Sequence, residues 1–147
     1  MDVESHQERI SFHYEEVTYR LPDETAVSMW MHGLVTEAGS VVSSISYIFC
    51  SDEYLLQINK DHLDHDYYTD IITFPYRQGK LIESDIFISI DRVRDNASDQ
   101  KVPFETELLR VMAHGVLHLL GYKDKTDTEA IRMRAAEDRA IGQYLAR

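Results

Sequence analysis

The stretch His114-Gly115-Val116-Leu117-His118-Leu119-Leu120-Gly121-Tyr122-Lys123-Asp124 constrains this chain more than any other. Two histidines stand four residues apart inside a strongly apolar run. On a helix, positions i and i+4 share a face one turn apart, so the two imidazoles can grip one cation. Gly121 can take the left-handed backbone angles that end a helix. Asp124 lies where a chain turning back at Gly121 brings its carboxylate to the same ion. The rest of the chain is then expected to hold this site and to shape a cleft over it.

The frame reads as follows. Ile10 to Leu21 alternates as an edge strand, bulged where the parity slips at Glu15-Glu16. Asp23 caps a helix through Ala26, Val27, Trp30, Met31, Leu34 and Val35 that ends at Gly39, with Trp30 in the core. Ser44 to Cys50 is a buried strand, and Ser51 opens a short helix to about His62. A polar loop leads to a strand over Thr69–Phe74 that Pro75 stops. A turn over Arg77–Lys80 precedes a strand from Leu81 to Ile90. Asp91–Ala97 is a short polar helix, and Pro103 starts the main helix, Phe104–Leu120. There Leu109, Met112, Val116 and Leu119 make one stripe and Glu107, Val111, His114 and His118 its neighbour. Thr126 and Glu129 form a capping box for a last helix to about Leu145. Its buried face is read as Ile131, Ala135, Asp138, Ile141 and Leu145, with Met133 and Tyr144 adjoining. Residues 1–147 are therefore expected to form a single α+β domain, a mixed sheet of about four strands with packed helices.

Apolar residues make up 44% of the chain, enough for a real core, yet no run approaches the ~18 consecutive apolar residues of a membrane span. Met1–His6 is acidic and polar, unlike a signal peptide. The single cysteine, Cys50, excludes an internal disulfide and a cysteine-built zinc cluster. These features imply a soluble, cytoplasmic protein without a membrane partner. The net charge of −11 disfavours tight nonspecific binding to nucleic acid, whose phosphates prefer basic surfaces, while leaving room for a local basic rim.

The spacing His-x3-His-x2-Gly-x2-Asp reproduces the ligand geometry of metzincin-type zinc metalloprotease sites. Three nitrogen and oxygen ligands suit one Zn²⁺ with an open position at which water is acidified, and other divalent transition metals accept the same set. A peptidase places its general-base glutamate directly after the first histidine. Here that residue is Gly115, which is read as leaving open space beside the metal for a bulkier, phosphate-type substrate.

His114-Gly-x-Leu-His118-Leu-x-Gly121-Tyr122 resembles the signature of the YbeY family, bacterial metal-dependent endoribonucleases. Asn59, Asp66, Thr69, Asp70, Phe74 and Pro75 match a second block of that family. Asp85-Ile86-Phe87-Ile88-Ser89 is similar to a third, with Ser84 in place of a glycine. The resemblance spans roughly residues 45 to 125. It implies an α+β fold and single-strand-specific, metal-dependent hydrolysis of ribosomal RNA. The processes implied are 3′-end maturation of the small-subunit RNA and ribosome quality control. The implied partners are ribosomal RNA and ribosomal particles, with ribosomal or GTPase assembly proteins as further candidates. His114, His118 and Asp124 are the expected metal ligands.

Two departures matter. The family's third ligand is usually a histidine, so Asp124 makes the bound cation's site one charge less positive. The family's arginine four residues after the asparagine is replaced by Leu63. The cation facing the phosphate must come from elsewhere, with His65, Arg77, Lys123 and Lys125 as candidates. Asp70 is read as a catalytic or hydrogen-bonding carboxylate, and Asp85 as a residue that orients a ligand histidine. Two other readings stand beside the nuclease: a non-catalytic ribosome-assembly factor with a structural zinc, and a zinc peptidase.

Overall fold

The computed structural model describes residues 9–147. The segment Met1–His6, read above as unlike a signal peptide, lies outside the described residues. Four strands, β1 (Ile10–Glu15), β2 (Val41–Cys50), β3 (Ile71–Arg77) and β4 (Leu81–Ser89), form one mixed sheet in the order β1-β2-β4-β3. β1, β2 and β4 run parallel, and β3 is antiparallel on one edge. Five helices accompany the sheet among the described residues: α1 (Glu24–Glu37), α2 (Asp52–Leu63), α3 (Ile90–Gln100), α4 (Phe104–Leu119) and α5 (Asp127–Leu145).

Helix starts follow local chemistry. Asp23, Ser51, Ser89 and Thr126 each accept a hydrogen bond from a backbone N–H of the first turn, and Thr126 with Glu129 completes the capping box. Each such cap satisfies a donor the helix cannot, at a value of about 1 kcal/mol.

Alternation along the strands sorts the side chains between two layers. Ile45, Tyr47, Phe49, Ile82, Ile86 and Ile88 join α1, α4 and α5 in the main core. Cys50 and Ile72, with Phe74 and Phe87 beside them, face the other way and pack on Leu55 of α2. The Tyr47 hydroxyl, fully buried, donates to the Met112 carbonyl at 3.1 Å and locks α4 to the sheet centre. Trp30 of α1 donates from Nε1 to the Ala140 carbonyl of α5 at 2.8 Å, fastening the last helix.

Four sequence readings need correction. β1 ends at Glu15, because Glu16 adopts a left-handed φ of 58° that turns the chain out of the sheet; Val17–Leu21 is not strand. Pro75 lies within β3 instead of stopping it, which an edge strand permits since the missing N–H faces no partner. The buried face of α5 is Met133, Glu137, Ala140 and Ile141, so only Ile141 of the expected five is inside, while Ile131 and Leu145 are exposed. Gly115 opens no space beside the two histidines. A Cβ there would meet Ile71 Cδ1 at 3.0 Å and Ile86 at 3.5 Å, so this glycine lets α4 press against the sheet.

Candidate metal centre

The two histidines project from the last turns of α4, and Gly121, at φ 108°, reverses the chain after them. This turn does two things. It carries Asp124 back over the helix end, so that its Oδ2 lies 3.4 Å from Nε2 of both His114 and His118. It also presents the Tyr122 carbonyl to His118 Nδ1 at 2.9 Å. Nδ1 of His114 meets Glu137 Oε2 at 2.6 Å. With both Nδ1 atoms committed as donors, both Nε2 atoms are left as the free lone pairs.

One ligand atom from each of His114, His118 and Asp124 lies within 4.8 Å of the others. Ligand atoms about 2.0–2.2 Å from a tetrahedral ion stand roughly 3.3–3.6 Å apart. The two 3.4 Å separations fall in that range, and the donor set of two imidazoles and a carboxylate fits a divalent transition metal. The three residues thus form a group that could hold a metal ion.

Glu137 is buried and links two groups. Its Oε1 accepts from Arg110 Nη1 at 3.0 Å while Oε2 meets His114, and Arg110 also reaches Asp138 at 2.7 Å. The Glu137 hydrogen bond raises the pKa of His114 above the usual histidine value, against the opposing effect of burial.

A cavity of about 330 Å³ opens between α4 and α5, bounded at one end by His114 and Asp124. Its wall includes Asp70, Ile71, Glu107, Val111, Met133 and Arg134. Glu107 is 4% exposed, and its Oε1 has no hydrogen-bond partner. Burial raises its pKa, and Arg110 opposes the shift. Burial likewise raises the pKa of Asp70, with His114 opposing it. Asp70 accepts from Asn96 Nδ2 at 3.3 Å.

The structure brings His114, His118, Asp124 and Asp70 together around this cavity and its mouth. It does not bring in His65, which stacks on Tyr67 in the exposed loop before β3 and bonds to its hydroxyl through Nδ1. Asp85 does not orient a ligand histidine. It faces the α2 side of the sheet and accepts from Tyr76 at 2.8 Å. Glu137 and the Tyr122 carbonyl orient the histidines instead. Of the candidate cations, Arg77 is paired with Glu83, whereas Lys123 lies on an open surface with Arg132 beside the Gly121 turn. Arg110 and Arg134 escaped the sequence reading, although Ala130, Met133, Arg134 and Glu137 recur at the helical spacing of one face.

Comparison with known proteins supplies the remaining finding. The family model described as Endoribonuclease YbeY matches residues 3–145. The protein named Endoribonuclease YbeY of Cytophaga hutchinsonii is 52% identical over 136 residues, covering 92% of this chain and 95% of the relative. Its counterpart of the same name from Flavobacterium psychrophilum is 49% identical over 132 residues, covering 90% and 94% respectively. The solution structure of TM1509 from Thermotoga maritima superposes with a TM-score of 0.67 at 22% identity, covering 92% of this chain and 89% of that one, a likeness of fold.

Proposed function

This chain belongs to the YbeY endoribonuclease family, and from that premise we propose that it hydrolyses phosphodiester bonds of single-stranded RNA at the His114–His118–Asp124 centre. The observation that carries the reading is the pair of 3.4 Å separations that aim both imidazoles at Asp124, at the mouth of a cavity large enough to admit part of an RNA strand. We take residues 1–147 as one such domain, holding one Zn²⁺ through the two Nε2 atoms and the Asp124 carboxylate.

A divalent cation held there supplies Lewis-acid chemistry, acidifying water and neutralising charge on the scissile phosphate. Glu137 and the Tyr122 carbonyl hold the imidazoles in the metal-binding tautomer. Asp70, beside His114 in the cavity wall, is the carboxylate best placed to take up a proton from the attacking water. Arg134, exposed at the rim and without a hydrogen bond or ion pair among the described residues, stands in for the arginine that Leu63 replaces. His65 would act only on a strand that crosses the β3 loop. Arg134 at the cavity, and Lys123 with Arg132 on a separate surface beside the Gly121 turn, supply local positive charge on a chain whose net charge is −11. Gly115, closed against Ile71, leaves no place for a peptidase's glutamate.

The substrate we infer is ribosomal RNA at the 3′ end of the small-subunit species, on ribosomal particles in the cytoplasm, with ribosomal or GTPase assembly proteins as partners. No helix among the described residues is long and apolar enough to cross a membrane. Metal-loaded protein is expected to turn over single-stranded RNA, and His118→Ala is expected to abolish turnover while the protein still melts cooperatively. Co-sedimentation with ribosomal particles without any cleavage by the metal-loaded wild type would instead favour the assembly-factor reading.

A further inference from the structure

We propose that the cavity between α4 and α5 is a nucleobase pocket: it takes the base of a nucleotide flanking the scissile phosphate, and Glu107 selects an amino-bearing base over uracil. The inference rests on the endoribonuclease reading above and names what that site recognises.

Placement comes first. Glu107 and His114 are seven residues apart on one helix, about 10 Å along its axis. Both line the same cavity, whose near end is formed by two of the three metal ligands. A phosphate at the metal centre and a base reaching Glu107 are therefore within the span of one nucleotide.

The lining decides which part of the nucleotide enters. Ile71, Val111 and Met133 offer apolar surface to the faces of a planar ring, and the methionine adapts to ring edges. Four carboxylates, Asp70, Glu107, Asp124 and Glu137, face the space against two guanidinium groups, of which Arg110 is already bound to Glu137 and Asp138. An anionic phosphate is repelled from such a wall, whereas a neutral ring is not.

The unsatisfied atom then decides which base. Glu107 Oε1 is buried with no partner, a state that costs free energy until a donor arrives. Cytosine, adenine and guanine bring an exocyclic amine to an edge, and a carboxylate accepting from cytosine N4 is a standard pairing. Uracil presents carbonyl oxygens on both sides of its single N–H, and these would face the carboxylate oxygens.

The test begins by mapping where metal-loaded protein cuts a single-stranded RNA. The nucleotide on each side of the cut is then varied through the four bases. A preference of about tenfold in kcat/KM against uracil at one flanking position is expected, the size of one hydrogen bond. Glu107→Gln should erase or reverse it, because the amide can donate to a uracil carbonyl. Ala130→Phe, at an exposed wall position, should plug the pocket and remove the discrimination while the metal content stays at the wild-type level. Equal rates for all four bases, or a preference that survives in both variants, overturns the pocket and leaves the nuclease reading intact. Absence of any cleavage overturns the nuclease reading. The pocket is then judged by titrating the protein with cytidine, adenosine and uridine, where perturbation of the Val111 and Met133 amides by uridine as strong as by the other two refutes it.

Discussion

Glu137→Gln isolates the orientation of His114 with little change of shape. In the native site two donors, Arg110 Nη1 and His114 Nδ1, each have their own carboxylate oxygen, at 3.0 and 2.6 Å. The amide offers one oxygen and one NH₂ group to the same two donors. If its oxygen turns to the charged Arg110, the NH₂ faces His114 Nδ1. That ring must then carry its proton on Nε2, the atom that aims at Asp124. If the oxygen stays on His114, the NH₂ is driven against a guanidinium whose remaining partner is Asp138. Loss of a group that orients a metal-ligating histidine costs 10- to 100-fold in metal affinity, about 1.4–2.8 kcal/mol. Glu137 also raises the proton affinity of His114, so its removal eases proton competition and partly masks the loss at low pH. The comparison therefore belongs at about pH 8, above the histidine range. Competition with a chromophoric chelator for Zn²⁺ gives the affinities, and urea unfolding of the metal-free proteins gives the accompanying stability change, expected at about 1–3 kcal/mol. An unchanged Zn²⁺ affinity in Glu137→Gln, beside a His118→Ala variant that loses the metal, would refute the orienting role.

Gly115→Ala should destabilise the protein by about 1–3 kcal/mol, because its methyl meets Ile71 Cδ1 at 3.0 Å in a packed layer; Ile71→Val in the same chain should restore part of that loss in thermal melts. Glu107→Gln should also change the pH dependence of stability. The carboxyl of Glu107 has a folded pKa above its unfolded value of about 4.5, so the stability tied to its neutral form is present below that value and is lost as pH rises through the folded value. Melting temperatures of wild type and variant are expected to diverge in the variant's favour across that interval, and parallel curves would contradict it.

The grouping of the three candidate ligands was legible because everything that brings them together is local. His114 and His118 are fixed by one helical turn, and Asp124 by a glycine whose φ of 108° reverses the chain within the same segment. The caps at Asp23, Ser51 and Thr126 and the existence of the four strands were legible for the same reason. Glu137 was not, because its approach to His114 depends on how α5 is rotated about its axis. That rotation is set by Trp30 donating to Ala140 and by Met133 entering the core, contacts that no spacing within α5 reveals. Ile131 and Leu145 suggested a different rotation and are exposed. Asp85 was misassigned because parity in β4 becomes meaningful only once it is known which layer α4 occupies. Gly115 suggested an opening, whereas the missing Cβ is occupied by a neighbouring strand's isoleucine.

The hydrogen bond from Trp30 to the Ala140 carbonyl joins positions 110 residues apart. Closing so long a loop costs chain entropy before the contact rewards it. During synthesis the sheet strands and both ligand histidines emerge before α5 can dock, so His114 exists for a time without the carboxylate that aligns it. For a chain proposed to cut RNA, this sets an order of events: the local turn can gather His114, His118 and Asp124 first, and His114 gains its aligning carboxylate only when the first and last helices have met.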